Sequence, residues 1–280
     1  MHTTTAATQP LTLLACQIDI PAMTSAAERD AHLSKSADKL RAQLKTKSAD
    51  LVVLPELSSI DYSRATFDQL DVIAEPLDGA SFQTWRAVAQ EFNAHISYSF
   101  ARRDETGTYI AIAVVGPDGV LVGHYDKLHM CQYGASMEKD YFDRGDHIFT
   151  FKVGGLTIAP IICYDIRIPE LSRTLTLDHN VDLILHCGAY YRDESFATWH
   201  AFATTRAMEN QVFFLSLNRA GETYGNSIFC KPWMDENTHP IHFKGRAEDF
   251  QFITLDPSDI PKVREDYTFL KDRLEDYSTL

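Results

Sequence analysis

The run Leu11-Thr-Leu-Leu-Ala-Cys-Gln-Ile18 does not alternate apolar with polar residues, and neither does the next such run, Leu51-Val-Val-Leu54. Strands of that kind are at home in a sheet covered on both faces. Between them, Ser25 to Lys47 carries Leu33, Ala37, Leu40 and Leu44 on one helical stripe, with its charges elsewhere. Strand, amphipathic helix and strand in that order begin an α/β fold.

The rest of the chain continues in the same vein. Ser81 to Asn93 reads as a second helix, with Ser81 as its cap and Phe82, Trp85, Val88, Ala89 and Phe92 as its apolar stripe. Strand-like runs follow at 95–101, 109–115, 120–125, 148–151 and 156–162, and Gly116-Pro-Asp-Gly119 suggests a hairpin. A short helix is expected from Pro169, a proline at the favoured first helical position, to Leu177. Then come a strand at 181–186, a helix at 195–210, and strands at 212–217, 227–230 and 250–255. A charged helix from 258 to about 274 closes the pattern. The segment 130–147 has no clear period, which in a compact domain points to function. No repeat or composition break divides residues 1–280, so a single domain is expected, with 1–10 as a polar tail and 258–280 as a C-terminal helix and tail.

Charge and cysteine usage exclude several classes of partner. The formal net charge is −13 and no basic stripe interrupts it, which argues against nucleic acid and anionic membranes. The five cysteines (Cys16, Cys131, Cys163, Cys187 and Cys230) are odd in number and scattered, unlike a disulfide framework, and suit a reducing cytoplasm. Leu11 to Cys16 is too short an apolar stretch for a signal peptide or a membrane span. A soluble cytoplasmic protein acting on a small molecule is the expectation.

Three apolar runs end on side chains that complement one another. Leu51–Leu54 leads into Pro55-Glu56, Val120-Leu-Val-Gly-His-Tyr125 into Asp126-Lys127, and Leu156–Ile162 into Cys163. A thiol with an ordinary pKa of roughly 8.5 needs a base or an electropositive setting to attack well at neutral pH. Glu56 could take its proton. Lys127 and the backbone N–H of Tyr164 could face a developing oxyanion. Taken singly, each has a plainer reading: a buried cysteine as core filler, a glutamate at a loop start, a lysine as a solvated charge. Their coincidence at three strand ends favours acyl transfer from an amide-like carbon or a nitrile to the thiol.

In that order, Leu54-Pro-Glu-Leu57, Tyr125-Asp-Lys-Leu-His129 and Cys163-Tyr-Asp-Ile-Arg-Ile-Pro-Glu170 resemble the nitrilase superfamily of carbon–nitrogen hydrolases. The resemblance extends over Ala15-Cys-Gln-Ile18, the acidic stretch Glu138 to Asp146, Arg206 to Gln211, Tyr224-Gly-Asn-Ser227 and Pro232-Trp233. It implies a four-layer αββα sandwich that associates through its helical face as a homodimer or larger homo-oligomer, with no metal or organic cofactor. It also implies Glu56 as general base, Lys127 as stabiliser of the tetrahedral intermediate, Cys163 as nucleophile, and Glu138 as the second glutamate that supports Lys127. Four positions depart from the family pattern: Arg144, Ile168, the segment His186-Cys-Gly-Ala-Tyr190 with Ala189 at the pocket, and Met234.

The hints about substrate diverge. Cys-Tyr-Asp-x-Arg resembles Nit-type amidases of small dicarboxylate monoamides, whereas Glu-Lys-x-Tyr-Phe is closer to N-carbamoyl amide hydrolases. Arg167 and Arg192 are candidates for pairing with a substrate carboxylate, the alternatives being an anchor on Asp165 or Glu170 and plain surface exposure. Tyr62, Tyr133 and Tyr190 are candidate pocket walls. The expected activity is hydrolysis of a small linear amide or N-carbamoyl compound. A nitrilase is the lesser alternative, since Tyr164-Asp165 follows the thiol where nitrilases carry Trp-Glu. Two further readings are a zinc site drawn from His124, His129, Cys131, His186 and Cys187, and a non-catalytic binding member of the family.

Overall fold

The structure, a computed structural model, describes residues 9–277. Most of the expected polar tail, residues 1–8, and the last residues, 278–280, lie outside the described residues.

Two six-stranded mixed sheets form the centre. The first contains β1 (Leu11–Gln17), β2 (Leu51–Val53), β3 (His95–Asp104), β4 (Gly107–Val115) and β5 (Leu121–Asp126), with the late strand β12 (Asp249–Leu255) beside β1. β1, β2 and β3 run parallel, while β12, β4 and β5 pair antiparallel to their neighbours. The second sheet runs from β6 (Phe151–Val153) through β7 (Leu156–Ile162), β8 (Leu183–Cys187), β9 (Phe213–Leu217) and β10 (Ile228–Cys230) to β11 (Ile241–His242). Three of its inner strands, β7, β8 and β9, are parallel.

Period-two alternation builds the layers. Leu183, Leu185, Cys187, Phe213, Leu215 and Leu217 turn toward the first sheet and share one apolar cluster with Leu13, Ala15, Val52 and Ile112. Ile184 and Phe214, one residue out of step, turn the other way. They pack against α5 (Pro169–Leu177) and α6 (Trp199–Asn210) through Leu171, Leu175, Ala203 and Ala207. On the first sheet, α1 (Ala26–Leu44) and α4 (Ala80–Phe92) supply the outer layer through Leu33, Leu40, Trp85 and Val88. The result is the expected αββα sandwich, and its doubly covered sheets account for apolar runs that do not alternate. Short helices α2 (Arg64–Phe67) and α3 (Leu70–Ile73) fill the link from β2 to α4. None of the described helices is long and apolar enough to cross a membrane.

Several local expectations are corrected. Ser25 does cap α1, accepting from the Glu28 amide, but α4 begins one residue before Ser81, with Gly79 at the cap position. Ser81 instead lies in the first turn, where its amide and hydroxyl both donate to the buried Glu75 carboxylate. The strand expected at 148–151 starts only at Phe151, because Phe149 leaves the sheet line to pack on Gly123 and stack on Phe151. The helix expected from 195 begins at Trp199 after a 3₁₀ turn. The single helix expected at 258–274 is two, α7 (Asp259–Asp266) and α8 (Phe269–Asp272). The break falls at Tyr267, whose ring stacks on Trp233 at 3.7 Å while its carbonyl accepts from Gln211 Nε2 at 2.7 Å.

Candidate active site

Strand ends converge at one edge of the sandwich. Glu56 follows β2, Lys127 follows β5, Cys163 follows β7, and Ala189 lies just past β8. Glu56, Lys127 and Glu138 are wholly buried. The Lys127 ammonium donates to Glu56 Oε1 at 2.8 Å and to Glu138 Oε1 at 2.6 Å. The remaining carboxylate oxygens are held by backbone amides, Ala189 N–H on Glu56 Oε2 at 2.7 Å and Cys131 N–H on Glu138 Oε2 at 2.8 Å. The Tyr62 hydroxyl adds a bond to Glu138 Oε1 at 2.8 Å. A buried ionic network with every carboxylate oxygen paired holds one geometry, because any loosened group would be left desolvated and alone.

The charges bias one another. Burial raises the proton affinity of the Glu56 carboxyl against the pull of Lys127, and Glu138 raises it further. Burial works against the Lys127 charge, but Glu138 and Glu56 keep its pKa well above the ordinary lysine value. The Cys163 thiol is also pushed well up, first by burial and then by Glu56, with Lys127 opposing. A neutral thiol therefore rests near a carboxylate whose basicity exceeds that of a solvated glutamate, a pairing suited to proton transfer coupled to attack.

Cys163 sits on a bend that its neighbours impose. Its φ is 44°, in the left-handed region that side chains rarely enter, and it opens the 3₁₀ turn Cys163–Arg167. Tyr164 N–H, in the first turn, has no intrahelical acceptor. Asp165 fastens the bend. Its Oδ2 accepts from Ile162 N–H at 2.9 Å and from the Tyr125 hydroxyl at 2.7 Å. Its Oδ1 accepts from His129 N–H at 3.0 Å and lies 2.7 Å from His129 Nδ1. One carboxylate thus ties the thiol's turn to the strand end that bears Lys127.

A cavity of about 40 Å³ opens over Cys163. Tyr62, Tyr133, Arg167, Ala189 and Tyr190 line it, so five of the six pocket candidates come together. Arg167 makes no ion pair with Asp165 or Glu170. It lies over the rings of Tyr133 and Phe202, and its Nη2 is buried without a hydrogen-bond partner among the described residues. Arg192 is placed elsewhere: its guanidinium donates to the Tyr224 and Gly245 carbonyls and covers Phe196, so it does not line the cavity. The five imagined zinc ligands also part company. His129 is on Asp165, while His186 is within hydrogen-bond distance of the Cys163 carbonyl and Ser216. His124 instead meets Asp126 and His147, with ligand atoms within 4.8 Å of one another. There the Arg102 guanidinium occupies both Asp126 oxygens, and both His147 ring nitrogens lie within hydrogen-bond distance of oxygens of His124 and Asp146.

Cys131, read from sequence only as a zinc-ligand candidate, also lines the cavity, as do Ser136, Tyr191 and Asp193, which sequence did not single out. The signal for Cys131 and Ser136 was the aperiodic 130–147 segment. Asn218 had none, yet its amide bonds both backbone groups of Tyr190 and so positions the Ala189-Tyr190 wall.

Comparison with known proteins gives the family. The model of the carbon-nitrogen hydrolase family matches residues 13–236. A 2-oxoglutaramate amidase of Bacillus subtilis (strain 168) is 29% identical over 239 residues, covering 82% of this chain and 87% of that protein. A nitrilase of Pyrococcus abyssi is 32% identical over 206 residues, covering 73% and 74%. The crystal structure of a carbon-nitrogen hydrolase from Helicobacter pylori G27 superposes with a TM-score of 0.82 at 20% identity, covering 97% of this chain and 98% of that one. With the family's model covering most of the chain and every strand end of the site, the chain belongs to the carbon-nitrogen hydrolases and is a hydrolase.

Proposed function

We propose that this enzyme hydrolyses the carbon–nitrogen bond of a small linear amide or N-carbamoyl compound that bears a carboxylate, through a thioester on Cys163. The observation that carries the substrate side is the unpaired Arg167 guanidinium in a cavity that already holds the thiol. Arg167 as a whole is half-buried, but a buried guanidinium nitrogen without an acceptor is costly, and a substrate carboxylate would satisfy it. The relative named for 2-oxoglutaramate, an amide, supports the amide class. A cavity of about 40 Å³ holds a few water-sized volumes of about 10–15 Å³ each, which favours a short acyl chain.

In the proposed reaction Glu56 takes the Cys163 proton as sulfur bonds to the carbonyl carbon. The resulting oxyanion faces the Lys127 ammonium and the Tyr164 N–H. Collapse of the intermediate breaks the carbon–nitrogen bond, and Glu56 returns the proton to the departing nitrogen, which leaves as ammonia or amine. Water then enters, gives a proton to Glu56 and attacks the thioester, releasing the acid and restoring the thiol. Glu138 keeps Lys127 in place through Oε1, which also accepts from the Tyr62 hydroxyl.

The reading is tested by ammonia release from a panel of carboxylate-bearing amides, carbamoyl compounds and nitriles, together with the intact mass of the trapped acyl-enzyme. An adduct on Cys163 and loss of turnover in Cys163→Ala are expected, and unchanged ammonia release in that variant would refute the mechanism. Arg167→Met is expected to raise KM roughly 10- to 100-fold for a carboxylate-bearing amide, the worth of a hydrogen bond to a charged group, with little change in kcat. A neutral amide of the same length should be indifferent to it. Equal effects on both substrates would remove Arg167 from recognition.

A further inference from the structure

His186 is buried on β8, beside Ser216 of β9 in the parallel register, and both face the helix layer that carries Trp199. Three contacts join them into one line. Trp199 Nε1 donates to Ser216 Oγ at 2.7 Å. Ser216 Oγ lies 2.6 Å from His186 Nδ1, and His186 Nε2 lies 2.9 Å from the carbonyl oxygen of Cys163. The ends of this line fix its direction. An indole N–H can only donate and a peptide carbonyl can only accept. A neutral imidazole must therefore carry its proton on Nε2 to serve the carbonyl, leaving Nδ1 to accept the Ser216 hydroxyl. Burial holds the ring neutral, its pKa pushed down to about 4.

We propose that Trp199, Ser216 and His186 form a one-way donor chain whose purpose is to hold the Cys163 carbonyl, and so to keep the thiol-bearing residue in its left-handed bend. His186 is thus a positioning residue for the nucleophile. The Tyr190 hydroxyl is a second donor to the same carbonyl, at 3.2 Å, and its ring stacks on Trp199 at 4.8 Å, so the chain is braced at both ends. A left-handed non-glycine residue persists only where its surroundings over-determine it, and two side-chain donors on one carbonyl do so here. The inference rests on Cys163 being the nucleophile.

The test joins kinetics, thiol reactivity and a spectroscopic readout on the whole enzyme. His186→Phe keeps an aromatic ring but loses both nitrogens; it is expected to lower kcat about 10²-fold, the effect of a small misplacement of a reacting group, with KM nearly unchanged. Iodoacetamide labelling of Cys163 should slow in parallel. Ser216→Ala, which frees the tautomer, should lower kcat roughly tenfold. His186→Gln, which retains an N–H at the far end of the side chain, should recover most of the activity. Histidine ¹⁵N spectra, assigned by difference from His186→Gln, should show His186 protonated on Nε2 alone. An Nδ1–H tautomer would overturn the proposal, even if His186→Phe does not fold. So would folded His186→Phe with wild-type kcat and labelling rate. Retained turnover in Cys163→Ala would instead overturn the reading of the site on which this one rests.

Discussion

Lys127→Met is expected to lose at least about 10³-fold in turnover and to become less stable as the pH rises. The catalytic part follows from its proposed place opposite the oxyanion, where loss of one donor alone costs about 10²–10³-fold. The rest follows from what the ammonium leaves behind. Glu56 and Glu138 share Lys127 Nζ in a fully buried space, so without it two carboxylates face each other with no counterion. Removing one partner of such a network costs about 3–5 kcal/mol when the orphaned charges stay ionised. They need not stay ionised, because a proton can replace the lysine. Glu56 already has a raised proton affinity from burial and from Glu138, and Lys127 is what opposes that rise. A carboxyl whose folded pKa exceeds its unfolded pKa contributes stability that is complete below the unfolded value and fades as pH climbs through the folded one. The variant's melting temperature should therefore lie nearest the wild type at about pH 5 and fall furthest behind at about pH 8. Equal deficits at the two pH values would show that Glu56 and Glu138 do not compete for charge as the geometry indicates.

The parts of this molecule that could be read from sequence are those where one residue's chemistry or one period suffices. Runs such as Leu156–Ile162 announced strands covered on both faces, and the structure shows two apolar clusters on opposite sides of the second sheet. Glu56, Lys127 and Cys163 stood out because each lies within two residues of the end of a strand-like run, and Glu138 because the resemblance supplied it. The misses have a common cause, since each depends on a partner distant in the chain. Ser81 looks like a cap until Glu75 folds back onto the helix start. Arg192 looks like an anion receptor until the Tyr224 and Gly245 carbonyls occupy it. Tyr267 breaks a helix that local spacing would continue, because Trp233 offers its ring a face to stack on. His186 was visible only as part of a segment that departs from the family pattern and as a zinc-ligand candidate. Its partners Ser216 and Trp199 lie on a different strand and on a helix, and no local pattern joins the three.

Glu56→Gln is expected to reduce kcat/KM by about 10²–10⁴-fold, the usual worth of a positioned general base, and to change the shape of the pH profile. With Glu56 as the proposed base, the wild type works only when that carboxyl is ionised. Activity should therefore fall on the acid side through a pKa above the ordinary carboxylate range, since burial raises Glu56. The amide cannot take the thiol proton, so the variant must rely on the small thiolate fraction set by bulk pH. Cys163 is pushed well above its ordinary pKa by burial, with Glu56 adding to the effect and Lys127 opposing it. Removing the Glu56 charge relieves one of the raising influences and leaves the largest, burial. The residual rate should thus climb roughly tenfold per pH unit from about pH 6 to about pH 9, without the wild-type plateau. The substitution also carries a local cost. Glu56 accepts from Lys127 on one oxygen and from the Ala189 amide on the other, and a glutamine can face only one of them with an acceptor. The donor left opposed costs about 1–3 kcal/mol, so the Ala189 wall of the cavity should loosen. Glu56→Asp separates the two effects: it keeps the charge and both acceptors while drawing them back. A variant that recovers the plateau but not the full rate would place the loss in geometry, whereas a tenfold-per-unit slope in Glu56→Asp as well would mean that the wild-type plateau comes from a group other than Glu56.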